Sequence, residues 1–196
     1  MRYEVVLDWG ETPNKCTIAP LVYREDFRLI GVPRSGPLKS LRSQLLLHPD
    51  GDCLTELRKE CSESFQELSA IDCIWQRLPA LMERIEGALP RFARIPDGFV
   101  TVYPRRVENS PEPEGGLATI EAIFTAAALL GNWDPSLLSE YYFGRAYVER
   151  NAELFIKLGV HQAANLADWP AMNKKARSSA QRKADRRVGY PVGVEV

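Results

Sequence analysis

The chain has 196 residues, of which 45% are apolar and 26% charged, and its formal net charge is −1 at pH 7. A chain of this length and composition can bury a real core and most simply forms one compact α/β domain with a tail. No apolar run approaches the roughly 18 residues of a membrane span, and the N-terminal MRYEVVLDWG lacks the basic-then-apolar order of a signal peptide, so we expect a cytoplasmic protein. Four cysteines at irregular spacings, without a C-x-x-C pair, indicate neither a metal site nor a disulfide framework.

The first half of the sequence predicts four strands and one helix. Apolar and β-branched runs that end at turn residues favour strands, and apolar residues recurring every three to four positions favour a helix. The predicted strands are RYEVVLD over 2–8, DFRLIGVP over 26–33, SQLLLHP over 43–49, which ends in a turn at 49–51, and AIDCIW over 70–75. The predicted helix is TELRKECSESFQEL over 55–68, with Leu57, Cys61, Phe65 and Leu68 on one face.

The second half predicts more helix. QRLPALMERIEGAL over 76–89 has helical spacing, with Pro79 in its first turn. Several prolines and glycines then surround a fifth strand candidate, GFVTVYP over 98–104. Further helices are predicted over 119–131, 134–142 and 145–158. Because strands alternate with helices, the sequence predicts an α/β fold with a mostly parallel sheet and helices on both faces.

The C-terminal segment has a charge opposite to that of the rest of the chain. Residues 174–187, KKARSSAQRKADRR, carry seven Lys or Arg and one Asp, a net charge of +6; because the whole chain is −1, the remainder carries −7. A basic tail on an acidic body is typical of contact with nucleic-acid phosphates, and the alternative is a solvated terminus that binds nothing. We therefore predict a domain over 1–160 and a basic tail over 161–196.

The stretch PEGGLATIEA, over 113–122, is a candidate ligand site at the start of an apolar helix. In parallel α/β folds, ligands bind beyond the carboxyl ends of the strands. Thr119 is a natural N-cap, and the free amides at a helix start favour an anion such as a carboxylate. Gly115 and Gly116 allow a ligand to approach the backbone closely. Alternatively, the glycines only turn the chain, and Glu121 complements the helix dipole.

Six short segments occur in an order that resembles a known superfamily. They are NKCT, LLLHPDGD, IDCIW, ALPRF, EGGLATIEAI and FGRAYVERN, and together they cover roughly residues 4–158. The superfamily, called TDD, joins the DTW-domain proteins to the aminocarboxypropyltransferases of ribosome biogenesis. The D-x-x-W from Asp72 to Trp75 and the EGGLATIEA segment resemble the DTW family. The KCT at 15–17 and FGRAYVERN resemble the ribosomal family.

The resemblance implies a SPOUT-like α/β fold with a C-terminal trefoil knot, a feature too rare to be proposed from periodicity. It also implies a monomer that binds S-adenosylmethionine. These families transfer the 3-amino-3-carboxypropyl group to a uridine or pseudouridine base of tRNA or rRNA. All three carbons on the sulfonium are electrophilic, so the pose of the bound cofactor decides which group is transferred.

The resemblance assigns cofactor contacts to several positions. Trp75 would line the amino-acid side arm and meet the sulfonium through a cation–π contact, although a Trp at the end of a buried strand is commonly a core residue. Thr17 would contact the cofactor or the target base, or would simply be a turn residue. The loops that enclose the adenosine include Leu89, Gly116, Leu117 and Thr119.

Two carboxylates are candidates for the base that activates the attacking nitrogen. Asp72 ranks first because it lies beside Trp75 in the signature, and Glu121 is second; either could instead hold a loop by hydrogen bonds to backbone amides. Positively charged residues are the candidates for RNA contact. For Arg91 and Arg94 there are two alternatives: they pair with the cofactor carboxylate, or they lie solvated at the surface. The RNA candidates are Arg91, Arg94, Arg105, Arg106, Lys174, Lys175, Arg177, Arg182 and Lys183.

The sequence also departs from both families. The signature reads DCIW, an unusual VENSPEP stretch precedes the glycines, and the cysteine-rich N-terminal segment of many DTW proteins is missing. These departures leave the acceptor open between tRNA, rRNA and a small molecule. A non-catalytic RNA-binding protein that assists ribosome assembly is the alternative of a different class, and methyl transfer on the same fold is a third reading.

Overall fold

The structure is a computed structural model, and it describes residues 1–8, 16–60, 65–104, 116–167, 169 and 194–195. A sheet of six strands, all parallel to their neighbours, lies at its centre in the order β5-β3-β4-β1-β2-β6. The strands are β1 Arg2–Leu7, β2 Phe27–Gly31, β3 Leu45–Cys53, β4 Glu67–Asp72, β5 Arg91–Arg94 and β6 Val194–Glu195. The α-helices in the described part are α1 Leu54–Glu60, α2 Leu78–Met82, α3 Thr119–Leu129 and α4 Gly144–Lys157. The predicted α/β class with a parallel sheet is confirmed.

Both faces of the sheet are buried. Because successive side chains of a strand point to opposite faces, neighbouring residues of β1 contribute to different cores. On β1, Val5 and Leu7 contribute to a large core that also contains residues of α1, α3 and α4. Val6, between them, contributes to a smaller core with residues of α2 and of the segment 38–41. The predicted cover on both faces is therefore confirmed, with most of the helical mass on one face.

Helix α3 is buried over most of its length, which explains its almost uninterrupted apolar sequence. Three consecutive alanines, 126–128, are at most 2% exposed and let the helix lie close to the strands beneath it. The helix ends in a Schellman motif, with the amide of Asn132 donating to the carbonyl of Ala127 and Gly131 adopting a φ of 94°. Its N-terminus lies at the carboxyl edge of the sheet.

The predicted ends of several elements were wrong. The helix predicted over 55–68 is α1, which ends at Glu60, and Leu68 lies instead in β4. The helix predicted over 134–142 is only a 3-10 turn, Pro135–Leu138. The predicted turn at 49–51 lies inside β3, where the pairing with β5 shifts register between Leu47 and Asp52. The fifth strand, predicted over 98–104, was placed in the wrong segment, since β5 is RFAR at 91–94.

The segment GFVTVYP, predicted as a strand, is a loop that two buried side chains hold in place. Asn151 of α4 accepts a hydrogen bond from the amide of Val100 at 2.8 Å and donates to its carbonyl at 2.9 Å. Glu121 of α3 accepts from the amide of Val102 at 3.2 Å. These bonds satisfy backbone groups that a neighbouring strand would otherwise satisfy.

Packing onto the large core continues beyond residue 160. The 3-10 turn His161–Ala164 follows α4, and Ala163 within it is 2% exposed. The ring of Trp169 lies 6.4 Å from that of Phe124.

Among the residues described, no helix is long and apolar enough to cross a membrane. The trefoil knot stays a prediction, since most of the segment from 168 to 196 lies outside the described residues.

Candidate functional site

Asp72, the last residue of β4, lies where three distant segments of the chain meet. The hydroxyl of Thr119, the first residue of α3, donates to Asp72 Oδ1 at 2.6 Å. The thiol of Cys16 donates to Asp72 Oδ2 at 3.0 Å. The sequence singled out these segments separately, as KCT, D-x-x-W and EGGLAT. The structure brings them together at the carboxyl edge of the sheet, where ligands of parallel α/β folds bind.

Asp8 lies beside Asp72, directly after β1, and was missed in the sequence. Its amide donates to the carbonyl of Asp72 at 3.0 Å, which continues the pairing of β1 with β4. Its side chain is 1% exposed, and Oδ2 forms an ion pair with Arg77 Nη1 at 2.9 Å. Oδ1 is buried and has no hydrogen-bond partner within the ranges that the structure describes. An acidic residue immediately after a central buried strand is the signal that could have identified it.

Trp75 begins a short 3-10 turn, Trp75–Arg77, three residues beyond Asp72. The amide of Arg77 closes this turn by donating to the carbonyl of Ile74 at 2.9 Å. Trp75 is half-buried, and Ile74 is 47% exposed, so the turn reaches the surface at this edge. The ion pair between Arg77 and Asp8 ties the turn to the end of β1.

The start of α3 differs by one residue from the prediction. Ala118, rather than Thr119, is the N-cap residue, because Thr119 already has helical geometry and its hydroxyl is bonded to Asp72. The amide of Ala118 donates to Glu121 Oε2 at 2.9 Å. Since the first bond within the helix runs from Ala122 to Ala118, the amides of residues 119–121 have no partner inside the helix.

Glu121, the second candidate base, holds the loop at 99–103 to α3. Its side chain is fully buried, and each carboxylate oxygen accepts two hydrogen bonds. Oε2 accepts from the Thr101 hydroxyl at 2.6 Å and from the amide of Ala118, and Oε1 accepts from the amide of Val102 and from the Tyr141 hydroxyl at 2.8 Å. Burial, reinforced by the Glu121 charge, raises the pKa of Tyr141, so the phenol stays a donor. This arrangement matches the loop-holding alternative of the sequence analysis.

Leu89 and Arg91 lie away from this edge. Both are at the amino end of β5, whereas Asp72 is at the carboxyl end of β4, and β3 lies between the two strands. Arg91 is paired with Asp52 at 2.7 Å and with Glu60 at 3.3 Å, so its charge is already compensated. A shallow cavity of about 380 Å³ opens here, lined by Asp50, Gly51, Asp52, Leu89, Pro90, Arg91 and Phe92. Its two aspartates make it a poor site for an anion.

The remaining candidates have the following places. Thr17 follows Cys16 and is half-buried, and Gly116 and Leu117 lead directly into the start of α3. Arg94 ends β5 at the carboxyl edge, with its nearest acidic partner, Asp97, at 3.5 Å. The other RNA candidates, Arg105, Arg106, Lys174, Lys175, Arg177, Arg182 and Lys183, lie outside the described residues.

The edge thus combines carboxylates, amides at a helix start, a guanidinium and an indole. Such a set can accept hydrogen bonds from a cation, donate them to an anion and bury an apolar body between them. Within the described ranges, no group of three or more His, Cys, Asp or Glu side chains is arranged to hold a metal ion. The site is therefore suited to an organic ligand that carries charges of both signs.

Comparison with known proteins gives one informative match. No protein-family model matches the chain, and no curated protein sequence matches it either. A solved structure of the SAM-dependent rRNA:acp-transferase Tsr3 from Vulcanisaeta distributa matches 86% of this chain and 86% of its own, with a TM-score of 0.55 and 20% sequence identity. At this identity the match establishes the fold: the chain has the α/β architecture seen in Tsr3.

Proposed function

We propose that the protein is an S-adenosylmethionine-dependent 3-amino-3-carboxypropyltransferase that modifies an RNA base. The observation that carries this proposal is the meeting of Cys16, Asp72 and Thr119 at the carboxyl edge of a sheet with the Tsr3 fold. These residues belong to the three motifs through which the sequence resembles the transferase superfamily. A chance resemblance of short motifs would not require them to be in contact.

The residues present fit S-adenosylmethionine. A buried carboxylate oxygen of Asp8 has no donor in the described part of the chain, and the half-exposed Arg77 next to it is a cation. The amides at the start of α3 supply further donors, and Trp75 supplies an aromatic face for the sulfonium. When bound, S-adenosylmethionine supplies an electrophilic carbon in its amino-acid side arm.

Asp72 is the group that we assign to proton removal from the base nitrogen of the acceptor. The nitrogen of a uridine-type base becomes nucleophilic when its proton leaves, and a carboxylate at the site can accept it. Thr119 and Cys16 hold the carboxylate in one orientation through opposite oxygens. Glu121 contributes by fixing the loop at 99–103 and the N-terminus of α3 rather than by taking a proton.

We assign RNA contact to the candidate cations other than Arg91. Arg94 lies at the carboxyl edge, and adjacent strands are roughly 5 Å apart, which places it about 10 Å from β4 across β3. Arg105, Arg106 and the basic residues of the tail complete the proposed surface, and Arg91 is left out because of its acidic partners. We propose rRNA before tRNA as the acceptor, with the protein acting as a monomer.

Calorimetric titration with S-adenosylmethionine tests the proposal. We expect saturable binding, and we expect Trp75→Ala to weaken it at least about tenfold if the indole meets the sulfonium. Tyr23→Ala is the matched control, because Tyr23 is an 83% exposed aromatic residue near the amino edge of the sheet, before β2. RNA binding without any binding of S-adenosylmethionine would contradict the proposal and favour the non-catalytic assembly protein.

A further inference from the structure

Asp8 has a buried carboxylate oxygen to which no residue of the described part of the chain donates a hydrogen bond. The side chain is 1% exposed, and Oδ2 is paired with Arg77 at 2.9 Å, whereas Oδ1 has no hydrogen-bond partner among the described residues. A buried acceptor without a donor is unfavourable, and such groups are rare in folded proteins. The oxygen is therefore a place where a donor from outside the chain would be favourable.

Two other buried carboxylates of the described chain, Glu4 and Glu121, show what a purely structural role looks like. Glu4, also on β1, accepts from Arg28 through Oε1 at 2.6 Å and from the amides of Arg42 and Ser43 through Oε2 at 2.7 and 2.8 Å. Glu121 likewise accepts two hydrogen bonds on each oxygen. Asp8 differs from both, and it lies at the carboxyl edge.

Arg77 connects the buried carboxylate of Asp8 to the surface of the protein. Its side chain is 43% exposed, and the ion pair with Asp8 involves one of its two terminal nitrogens. A guanidinium has five N–H donors in a planar fork, so donors remain for a second anion. The pair thus offers an acceptor for a cation and donors for a carboxylate side by side.

We propose that Asp8 and Arg77 bind the two charged groups of an α-amino acid, with the ammonium on Asp8 Oδ1 and the carboxylate on Arg77. Resting on the proposed function, this assigns the pair to the amino-acid end of S-adenosylmethionine. Arg77 is two residues beyond Trp75 in the same 3-10 turn, and Asp8 is bonded to Asp72 through the backbone. The pair holds the end of the side arm while its reactive carbon lies near Trp75 and Asp72.

Titration with three ligands separates the two halves of this proposal. S-adenosylmethionine carries both charged groups, decarboxylated S-adenosylmethionine keeps only the amine, and 5′-methylthioadenosine lacks the amino-acid arm. For Asp8→Asn we expect at least about tenfold weaker binding of the first two ligands, since the lost contact is a hydrogen bond between charged groups, and unchanged binding of the third. For Arg77→Gln we expect weaker binding of S-adenosylmethionine alone.

The controls distinguish a failure of this inference from a failure of the proposed function. Binding of 5′-methylthioadenosine shows that each variant keeps a folded pocket, and Arg77→Gln changes a half-exposed side chain should Asp8→Asn not fold. Equal affinities of wild type and both variants for S-adenosylmethionine would overturn the inference alone, as would an equal loss for all three ligands. Absence of binding to the wild-type protein would overturn the proposed function, and this assignment with it.

Discussion

At the scale of single residues, the carboxylates of the domain differ in how completely they are hydrogen-bonded. Glu121 accepts four hydrogen bonds, from two loops and from the N-cap of α3. Asp72 accepts from two segments through opposite oxygens, and Asp8 has one oxygen without a donor among the described residues. Saturation indicates a structural role, because a carboxylate that already accepts four hydrogen bonds has little capacity for a further proton or ligand. The sequence identified Asp72 and Glu121 by type and place, but it could not distinguish their roles.

Glu121→Gln should destabilise the protein by about 2–3 kcal/mol, because it leaves a buried donor unpaired. A backbone amide donates to each oxygen, Ala118 to Oε2 and Val102 to Oε1. In either orientation of the glutamine amide, its NH2 group would therefore face an N–H that cannot accept. Urea unfolding measures the change in the free energy of unfolding. Glu149→Gln, on the surface and paired with Arg145, is the control and should cost less than about 0.5 kcal/mol. Equal costs would contradict the loop-holding role.

The identity of the N-cap shows a limit of local reasoning at the residue scale. Thr119 is a favoured N-cap type, and propensity alone places it there. In the structure its hydroxyl bonds to Asp72, which is 47 residues earlier in the chain. A local preference was overridden by a long-range partner that no short window of sequence contains. The sequence thus singled out Thr119, but it did not reveal the contact with Asp72.

At the scale of elements, strand β3 depends on a close approach to β5. A Cβ added at Gly51 would lie 2.7 Å from the Cα of Ala93, so the two backbones leave no room for a side chain. The segment PDGD, at 49–52, contains the predicted turn, but in the structure it is an irregular part of β3. Turn composition predicts an irregular backbone correctly, but whether a neighbouring strand continues beside it depends on the tertiary structure.

Gly51→Ala should therefore destabilise the protein by about 3 kcal/mol, since backbone atoms rather than a flexible side chain oppose the new methyl group. Gly36→Ala is a suitable comparison, because Gly36 has open space around it and a φ of 87°, and its cost of about 1 kcal/mol is conformational only. Thermal and urea unfolding of both variants give the two values. A smaller loss at position 51 than at position 36 would contradict the close contact of β3 with β5.

Among the elements, the long periodic ones were the most predictable. β1, β2, α3 and α4 lie close to where the sequence predicts them, because their apolar patterns match what they bury. The loop at 99–103 was mistaken for a strand, since its aromatic and β-branched residues, FVTVY, are typical of strands. Its backbone partners are the side chains of Asn151 and Glu121, which sequence periodicity cannot reveal.

At the scale of the whole molecule, three buried tyrosines should lower the free energy of unfolding as the pH becomes alkaline. Burial raises the pKa of Tyr3, Tyr141 and Tyr147 above its ordinary value near 10. Because the folded pKa is the higher one, the contribution to stability is complete below about pH 10 and is lost as the pH rises further. Each tyrosine can lower the free energy of unfolding by up to about 1.4 kcal/mol per pH unit in that range.

Urea unfolding between pH 7 and 11 measures this decline. Tyr147→Phe should make the decline shallower, because one buried phenol is removed, while Tyr142→Phe should not change it, since Tyr142 is 62% exposed. A decline of the same slope in both variants would show that other groups cause it.

The α/β architecture was predictable from the alternation of strand and helix patterns, and the edge of the candidate site followed from the rule for parallel sheets. The partners across that edge were not, because contacts such as Cys16 with Asp72 join residues 56 positions apart. The place of Asp8 directly after a buried strand was a usable signal that was missed, whereas its ion pair with Arg77 joins residues too far apart in the sequence to be predicted. The contribution of the basic tail and the C-terminal knot stay predictions.

The most direct test of the central claim uses S-adenosylmethionine labelled with carbon-13 either in the side arm or in the methyl group. RNA is incubated with the protein and each form, digested to nucleosides and analysed by mass spectrometry. We expect a uridine-type nucleoside to gain the mass of the aminocarboxypropyl group and to carry the side-arm label only. Incorporation of the methyl label would contradict aminocarboxypropyl transfer, and the absence of any modified nucleoside with a panel of rRNA and tRNA substrates would contradict RNA modification.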